Sequence, residues 1–406
     1  MLVKHLKLIQ KPILYLTLFF AISNFGFAQT NGIDNIVGKN YTIASKFLNE
    51  EREIQIYLPD SYHTSTKEYP VMYILDGQRF FLHTVSLHQS FVEFDITPEF
   101  IIIGINNIES KRNITFSSGA KQISDYLEHE VIPFVDNNFR TKQDRLLFGW
   151  AYGGGFVLQD LISNPHVYTS YIAASPYPVF NKMEALDSLI KQNKTKDKLF
   201  YYSSDTNEGV VKKGTDSLNS YFKSVNPNAL KWTYQGLQGE EHRSTPYTTL
   251  YHGIKKHFNN YPELSVQNLD EFKEKGGMKY VNEYYEKRAK DYDLSAEPSV
   301  FAKFDLIRKA IRANDYEQFD SFMTIFNEQE FIGQLRLSWA CTIAEFYKEN
   351  QKYDNAINVY EEIISNHPEA TRPLQGIAEV YTLLKKNNKA KKYNQKAEVL
   401  SKANAN

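Results

Sequence analysis

The stretch LLFGWAYGGGF, residues 146–156, narrows what this chain can fold into more than any other. An apolar run of strand character reaches Gly149, a turn follows, and a glycine-rich start leads into the helical FVLQDLI. A strand that turns this sharply into a helix is a unit of layered α/β folds.

The surrounding sequence repeats the alternation. EIQIYLP (53–59) alternates apolar and polar residues, while VMYILD (71–76), FIIIGI (100–105) and DRLLFGW (144–150) are short apolar runs. Each is bounded by Gly, Pro, Asp or Asn, as buried strands are. SYIAASP (170–176) and KLFYYSS (198–204) read as two more strands. Between the third and fourth runs, SDYLEHEVIPFVDNNF (124–139) puts Tyr126, Leu127, Val131, Ile132 and Val135 on one helical face, with Pro133 as an interruption. Strand–helix alternation implies a mostly parallel sheet covered on both faces, with ligands bound outside the carboxyl ends of the strands. The 28 Tyr and 27 Phe suit such a core and aromatic pockets.

After about Pro262 the strand signals stop, and charged amphipathic helices follow one another to the end. At an offset of 34 residues, Ile343 pairs with Ile377, Ala344 with Ala378, Tyr347 with Tyr381 and Ala356 with Ala390. The spacing resembles the tetratricopeptide repeat, with copies at about 338–371 and 372–405 and a worn third at 314–326. Two copies cannot bury a continuous core, so the helices of 266–312 and the first domain are expected to cover them.

The first residues read as an address. Lys4, Lys7 and Lys11 precede the uncharged PILYLTLFFAISNFGFA (12–28), which is too short and too interrupted to span a bilayer comfortably. Gly26 and Ala28 give the small residues of a signal-peptidase site. The expected division is a signal peptide over 1–28, an α/β domain over 29–262 and a helical domain over 263–406. The protein is expected to be exported, periplasmic or secreted, with no stable membrane span after cleavage.

Composition excludes several classes of function. Lys and Arg number 47 against 48 Asp and Glu, a net charge of −1, which offers no bulk attraction for nucleic acid. Cys341 is the single cysteine, so neither a disulfide framework nor a cysteine-based metal centre can form within the chain. Neither a metal nor a cofactor is expected.

The 146–156 stretch has the strand–turn–helix context of G-x-S-x-G, the turn that lifts a nucleophilic serine above a sheet. Gly149 and Gly153 take the positions where a side chain would crowd the turn, and Gly154 lets the helix sit close to the sheet. The nucleophile position holds Ala151, which has no hydroxyl. In hydrolase order an acid and then a histidine follow. Asp205 is the first choice of acid, Glu208 the alternative, and His242 in GLQGEEHRSTPY the histidine. Ser117, Ser118 and Ser175 lie off the elbow and do not read as a relocated nucleophile.

Residues 52–258 resemble the esterase family of α/β hydrolases, which includes siderophore, feruloyl, acetyl-xylan and esterase-D-like enzymes. The matching segments are YPVMYILDGQRFF (69–81), IGINNIESKRNIT (103–115), SGAKQISDYLEHEVIPFVDNNFRT (118–141), LLFGWAYGG (146–154), AASPY (173–177) and GEEHRSTPY (239–247). A helical repeat behind the hydrolase resembles an arrangement in exported members. The resemblance implies a three-layer α/β-hydrolase sheet domain followed by an all-α, repeat-like domain. It implies an oxyanion hole from the backbone N–H groups of Tyr152 and Gly77, and Arg112 matches a family arginine that either contacts an anionic substrate or forms a surface salt bridge. Trp150 reads either as lining a substrate pocket or as core. Trp150 stands where the family often has histidine, and Ala151 where it has serine. Two functions are weighed. One is a degenerate esterase that binds an ester-type ligand, or a protein partner through its helical domain, without serine chemistry. The other is a carboxylic-ester hydrolase in which His242 activates water directly.

Overall fold

The structure is a computed structural model, and it describes residues 35–404. The expected signal peptide lies outside the described residues.

Eight strands form one sheet: β1 (Lys39–Ser45), β2 (Glu50–Tyr57), β3 (Tyr69–Leu75), β4 (Ile101–Ile105), β5 (Thr141–Trp150), β6 (Ser170–Ala174), β7 (Lys198–Asp205) and β8 (Leu230–Leu237). Their order is β1-β2-β4-β3-β5-β6-β7-β8. β2 runs antiparallel to β4, and the ladder from β4 through β8 is parallel. Every residue of β3, β4 and β6 is buried, which is why these strands read as unbroken apolar runs.

The connecting helices are α1 (Gly77–Glu93), α2 (Arg112–Thr115), α3 (Ala120–Tyr126), α4 (Ile132–Asn138), α5 (Tyr152–Ser163), α6 (Met183–Lys191), α7 (Val210–Val225) and α8 (Thr245–His257). α3 and α4 are one rod broken by a π-turn at Leu127–Val131. Pro133 directly follows that turn, so the break in the regular α-helical ladder falls where the proline has no N–H to offer. An apolar core built from β2–β7, the α3–α4 rod and α5 fills one side of the sheet.

Asp160 of α5 is a polar liability in that layer. Its Oδ1 accepts from the Ser124 hydroxyl and from Asn164 Nδ2, but its buried Oδ2 has no partner. Burial pushes its carboxyl up to about 6 from an ordinary 3.8. A raised folded value means a contribution to stability that is complete below pH 3.8 and lost as pH rises through 6. The loss is about 3 kcal/mol. Asp160→Asn keeps an acceptor for Ser124 and removes the charge. It should raise stability at pH 7.5 by about 1–2 kcal/mol, after the cost of an unpaired amide N–H. Urea melts at pH 4.5 and 7.5 check this, and an unchanged pH dependence in the variant would refute it.

The C-terminal part is helical throughout: α9 (Leu269–Glu274), α10 (Met278–Tyr292), α11 (Val300–Arg312), α12 (Tyr316–Ile325), α13 (Glu328–Gly333), α14 (Leu337–Glu349), α15 (Tyr353–Asn366), α16 (Thr371–Leu383) and α17 (Asn387–Asn404). α14–α15 and α16–α17 are two successive antiparallel pairs. They share one apolar core with α9–α13, in which Val281, Tyr285, Ile307, Phe319 and Phe322 sit beside Ile343, Tyr347 and Ile377. The cover that two pairs need therefore comes from the preceding helices. This core is distinct from that of the sheet domain. At the joint, Tyr292 packs edge-on against Tyr261 at 5.1 Å and donates to Asn260 Oδ1 at 2.9 Å, while Arg288 Nε donates to Tyr261 O at 2.6 Å. Among the described residues no helix is long and apolar enough to cross a membrane.

Candidate active site

At the end of β5 the chain makes a tight turn on Ala151, whose φ and ψ are 53° and −115°. A residue with a Cβ avoids this region unless its surroundings hold it there. Two backbone bonds do so: Ala151 N–H donates to Ala174 O at 2.9 Å, and Ala151 O accepts from Tyr177 N–H at 3.0 Å. A Cβ on Gly149 would lie 2.3 Å from Gly153 O, so that position admits glycine alone. Gly153 corrects the sequence reading. A Cβ there would meet nothing closer than Phe116 at 3.6 Å, and the crowded positions are instead Gly155, 2.1 Å from Tyr177 O, and Gly154, 2.7 Å from Ala174 O as expected of a helix close to the sheet. The elbow is formed and its tip is a methyl group.

α5 starts at Tyr152, so the Tyr152 N–H is one of the unpaired donors of a helix N-terminus. β3 lies beside β5 and ends at the start of α1, where Gly77 supplies a second such donor. Two helix N-termini thus open at the carboxyl ends of adjacent strands, a polarity that suits developing negative charge.

The histidine and the acid meet. His242 Nδ1 lies 2.5 Å from Glu208 Oε1. A carboxylate only accepts, so Nδ1 carries the proton and Nε2 is left as the basic nitrogen of the neutral ring. The Glu208 side chain is 3% exposed and that of His242 44%. Asp205, the first choice from the sequence, is not the partner. Its Oδ2 accepts from Asn207 N–H at 2.8 Å, and its own N–H donates to Glu208 Oε2 at 2.7 Å. Asp205 closes the turn, and Glu208 is carried back on it toward the histidine.

Arg112 and Trp150 take the structural side of their alternatives, with the Arg112 ion pair buried and not on the surface. Arg112 is buried, and its Nε and Nη2 grip the fully buried Asp76 carboxylate at 2.6–3.0 Å. Its Nη2 also donates to Trp150 O at 2.9 Å. Nε and Nη2 thus serve the base of the elbow and the start of α1. Trp150 is largely enclosed: its ring lies 4.8 Å from that of His242, with the Arg79 and Arg112 guanidinium groups at 5.7 and 5.1 Å. Its Nε1 donates to His242 O at 2.8 Å. Trp150 fixes the histidine loop rather than an open pocket. Phe80 and Tyr247 continue this aromatic cluster, and Tyr152 packs edge-on against Tyr177 at 5.4 Å.

The sequence profile of the family described as "Putative esterase" matches residues 45–262. The chain belongs to this esterase family. Among curated relatives, the uncharacterized protein YjcH of Bacillus subtilis is 30% identical over 154 residues, 35% of this chain and 62% of its own length. The ferri-bacillibactin esterase BesA of Bacillus subtilis is 34% identical over 65 residues, 16% of this chain and 22% of its own. The chain thus spans less than two thirds of the length of these curated relatives. The crystal structure of an IroE-like serine hydrolase from Shewanella oneidensis superposes with a TM-score of 0.54 at 21% identity, covering 72% of this chain and 99% of that one. That likeness extends the shared fold over the sheet domain and into the helices beyond it. Ala151 stands at the tip of the elbow in this esterase-family chain.

Proposed function

We propose that this protein is an exported, degenerate member of the esterase family that binds an ester-type ligand without serine catalysis. The observation that carries the reading is Ala151 at φ 53°, ψ −115°: a formed elbow whose tip bears no hydroxyl. Losing the nucleophile from a triad leaves about 10³–10⁴-fold acceleration over water, from the oxyanion hole and binding alone. A site of that kind holds an ester far better than it cleaves one. The similarity to BesA supports siderophore esters as the ligand class. The charged and apolar pattern of residues 4–28 supports export, and the paired helices α14–α17 support a protein partner for the helical domain.

One observation favours a second reading. The His242–Glu208 pair is assembled at 2.5 Å, as direct activation of water would require. Release of nitrophenolate from 4-nitrophenyl acetate separates the two. The binding reading expects the natural chain and His242→Ala to share one low rate, because what acceleration remains comes from the oxyanion hole and binding alone. Turnover that His242→Ala abolishes would replace it with water activation.

A further inference from the structure

The His242–Glu208 pair is also held by two hydroxyl groups outside the elbow. Ser175 follows β6 and is fully buried, with φ at +44°. A serine held in the left-handed region carries a backbone cost that its surroundings must offset. Its N–H donates to Ser203 O at 2.8 Å, which fixes it to β7. Its Oγ lies 2.9 Å from Glu208 Oε2 and 2.7 Å from Thr245 Oγ1. Thr245, also fully buried, is the first residue of α8, and its Oγ1 lies 3.1 Å from His242 O.

The protons can be assigned. Glu208 accepts only, so the Ser175 hydroxyl donates to it and has no proton left for Thr245. The Thr245 hydroxyl must then donate, shared between Ser175 Oγ and His242 O. Hydrogen bonds thereby close a ring: imidazole to Glu208 Oε1, Glu208 Oε2 to Ser175, Ser175 to Thr245, and Thr245 to the His242 carbonyl. Asp205 N–H fills the remaining place on Oε2, and Trp150 Nε1 shares the carbonyl.

From this ring we infer that Ser175 and Thr245 are positioning residues for His242. They set its ring orientation and tautomer through Glu208 and its backbone through the carbonyl, whatever residue stands at 151. Ser175 is thus neither a spare nucleophile nor a filler. The inference rests on the proposed site but not on whether that site is active.

The test uses the full chain with ¹⁵N-labelled histidine. In the natural protein, the His242 Nδ1–H should give a low-field NMR signal protected from solvent exchange, identified by its loss in His242→Ala. Ser175→Ala should speed that exchange about tenfold or more, the scale set by losing a hydrogen bond to a charged group, and Thr245→Val about fivefold, the scale of a neutral one. Thr245→Ser, which keeps the hydroxyl, should restore protection. In the Ala151→Ser background, the same Ser175 and Thr245 changes should lower kcat about tenfold and about fivefold, with KM unchanged. Unchanged exchange in folded Ser175→Ala and folded Thr245→Val would overturn the inference. If the natural chain turns over 4-nitrophenyl acetate and His242→Ala abolishes it while the exchange results hold, the proposed function fails and the positioning role stands. Should Ser175→Ala not fold, the Thr245→Val and Thr245→Ser pair decides alone.

Discussion

Ala151→Ser is expected to hydrolyse 4-nitrophenyl acetate about 100-fold or more faster than the natural chain. Removing the nucleophile of a serine protease costs about 10⁶ in kcat, so this asks for a small part of what a complete triad supplies. The elbow backbone, a helix N-terminus and a hydrogen-bonded His–Glu pair are already built. The backbone at 151 already has the elbow conformation, and Gly149 already permits the turn. The Tyr152 N–H opens a helix N-terminus at the same point. His242 carries its proton on Nδ1 against Glu208, leaving Nε2 to take one from a hydroxyl. The substitution adds one oxygen to a side chain at the end of a strand, so the melting temperature should barely move. Adding His242→Ala should remove the whole gain. A folded Ala151→Ser that gains nothing would mean that His242 does not reach position 151.

Arg112→Ala is expected to cost about 3–5 kcal/mol of stability, because it leaves a buried charge without its partner. Asp76 is fully buried, and the guanidinium makes three contacts to its two oxygens. The arginine also donates to Trp150 O and packs 5.6 Å from the Phe116 ring. Arg112→Lys should recover little, since an ammonium cannot reproduce the planar fork that reaches both Asp76 and Trp150 O. Urea unfolding followed by circular dichroism measures the loss. A change below about 1 kcal/mol would mean that Arg112 behaves as an ordinary surface ion pair.

The layered sheet was legible because its central strands are buried on both faces and therefore read as apolar runs such as FIIIGI. The edge strands were not. β8, LKWTYQGL, is only half covered along most of its length, so neither an apolar run nor a clean alternation marks it. The elbow was legible because steric crowding at Gly149 leaves a trace in the sequence. The choice between Asp205 and Glu208 was not, because both stand in one short turn. Which carboxylate points at the histidine depends on how the chain from Asp205 to Gly209, where φ is +55°, folds back on itself. Arg112 stayed between a substrate contact and a surface salt bridge because sequence gives its position in a loop but not its partner. Asp76 lies 36 residues away on another strand end, and only the assembled sheet brings the two together. The ring through Ser175 and Thr245 left no pattern at all. Its members come from the ends of two strands, a turn and the start of a helix, and none of their spacings is periodic.

Intact-mass analysis after exposure to a fluorophosphonate tests most directly whether the elbow is built but has no nucleophile. The natural chain should keep its mass, because Ala151 has no hydroxyl to phosphonylate. Ala151→Ser should gain a single adduct, located at residue 151 by peptide mapping and lost when His242→Ala is added. An adduct on the natural chain that depends on His242, whether at Ser175, Ser117 or Ser118, would contradict the account and place the nucleophile elsewhere.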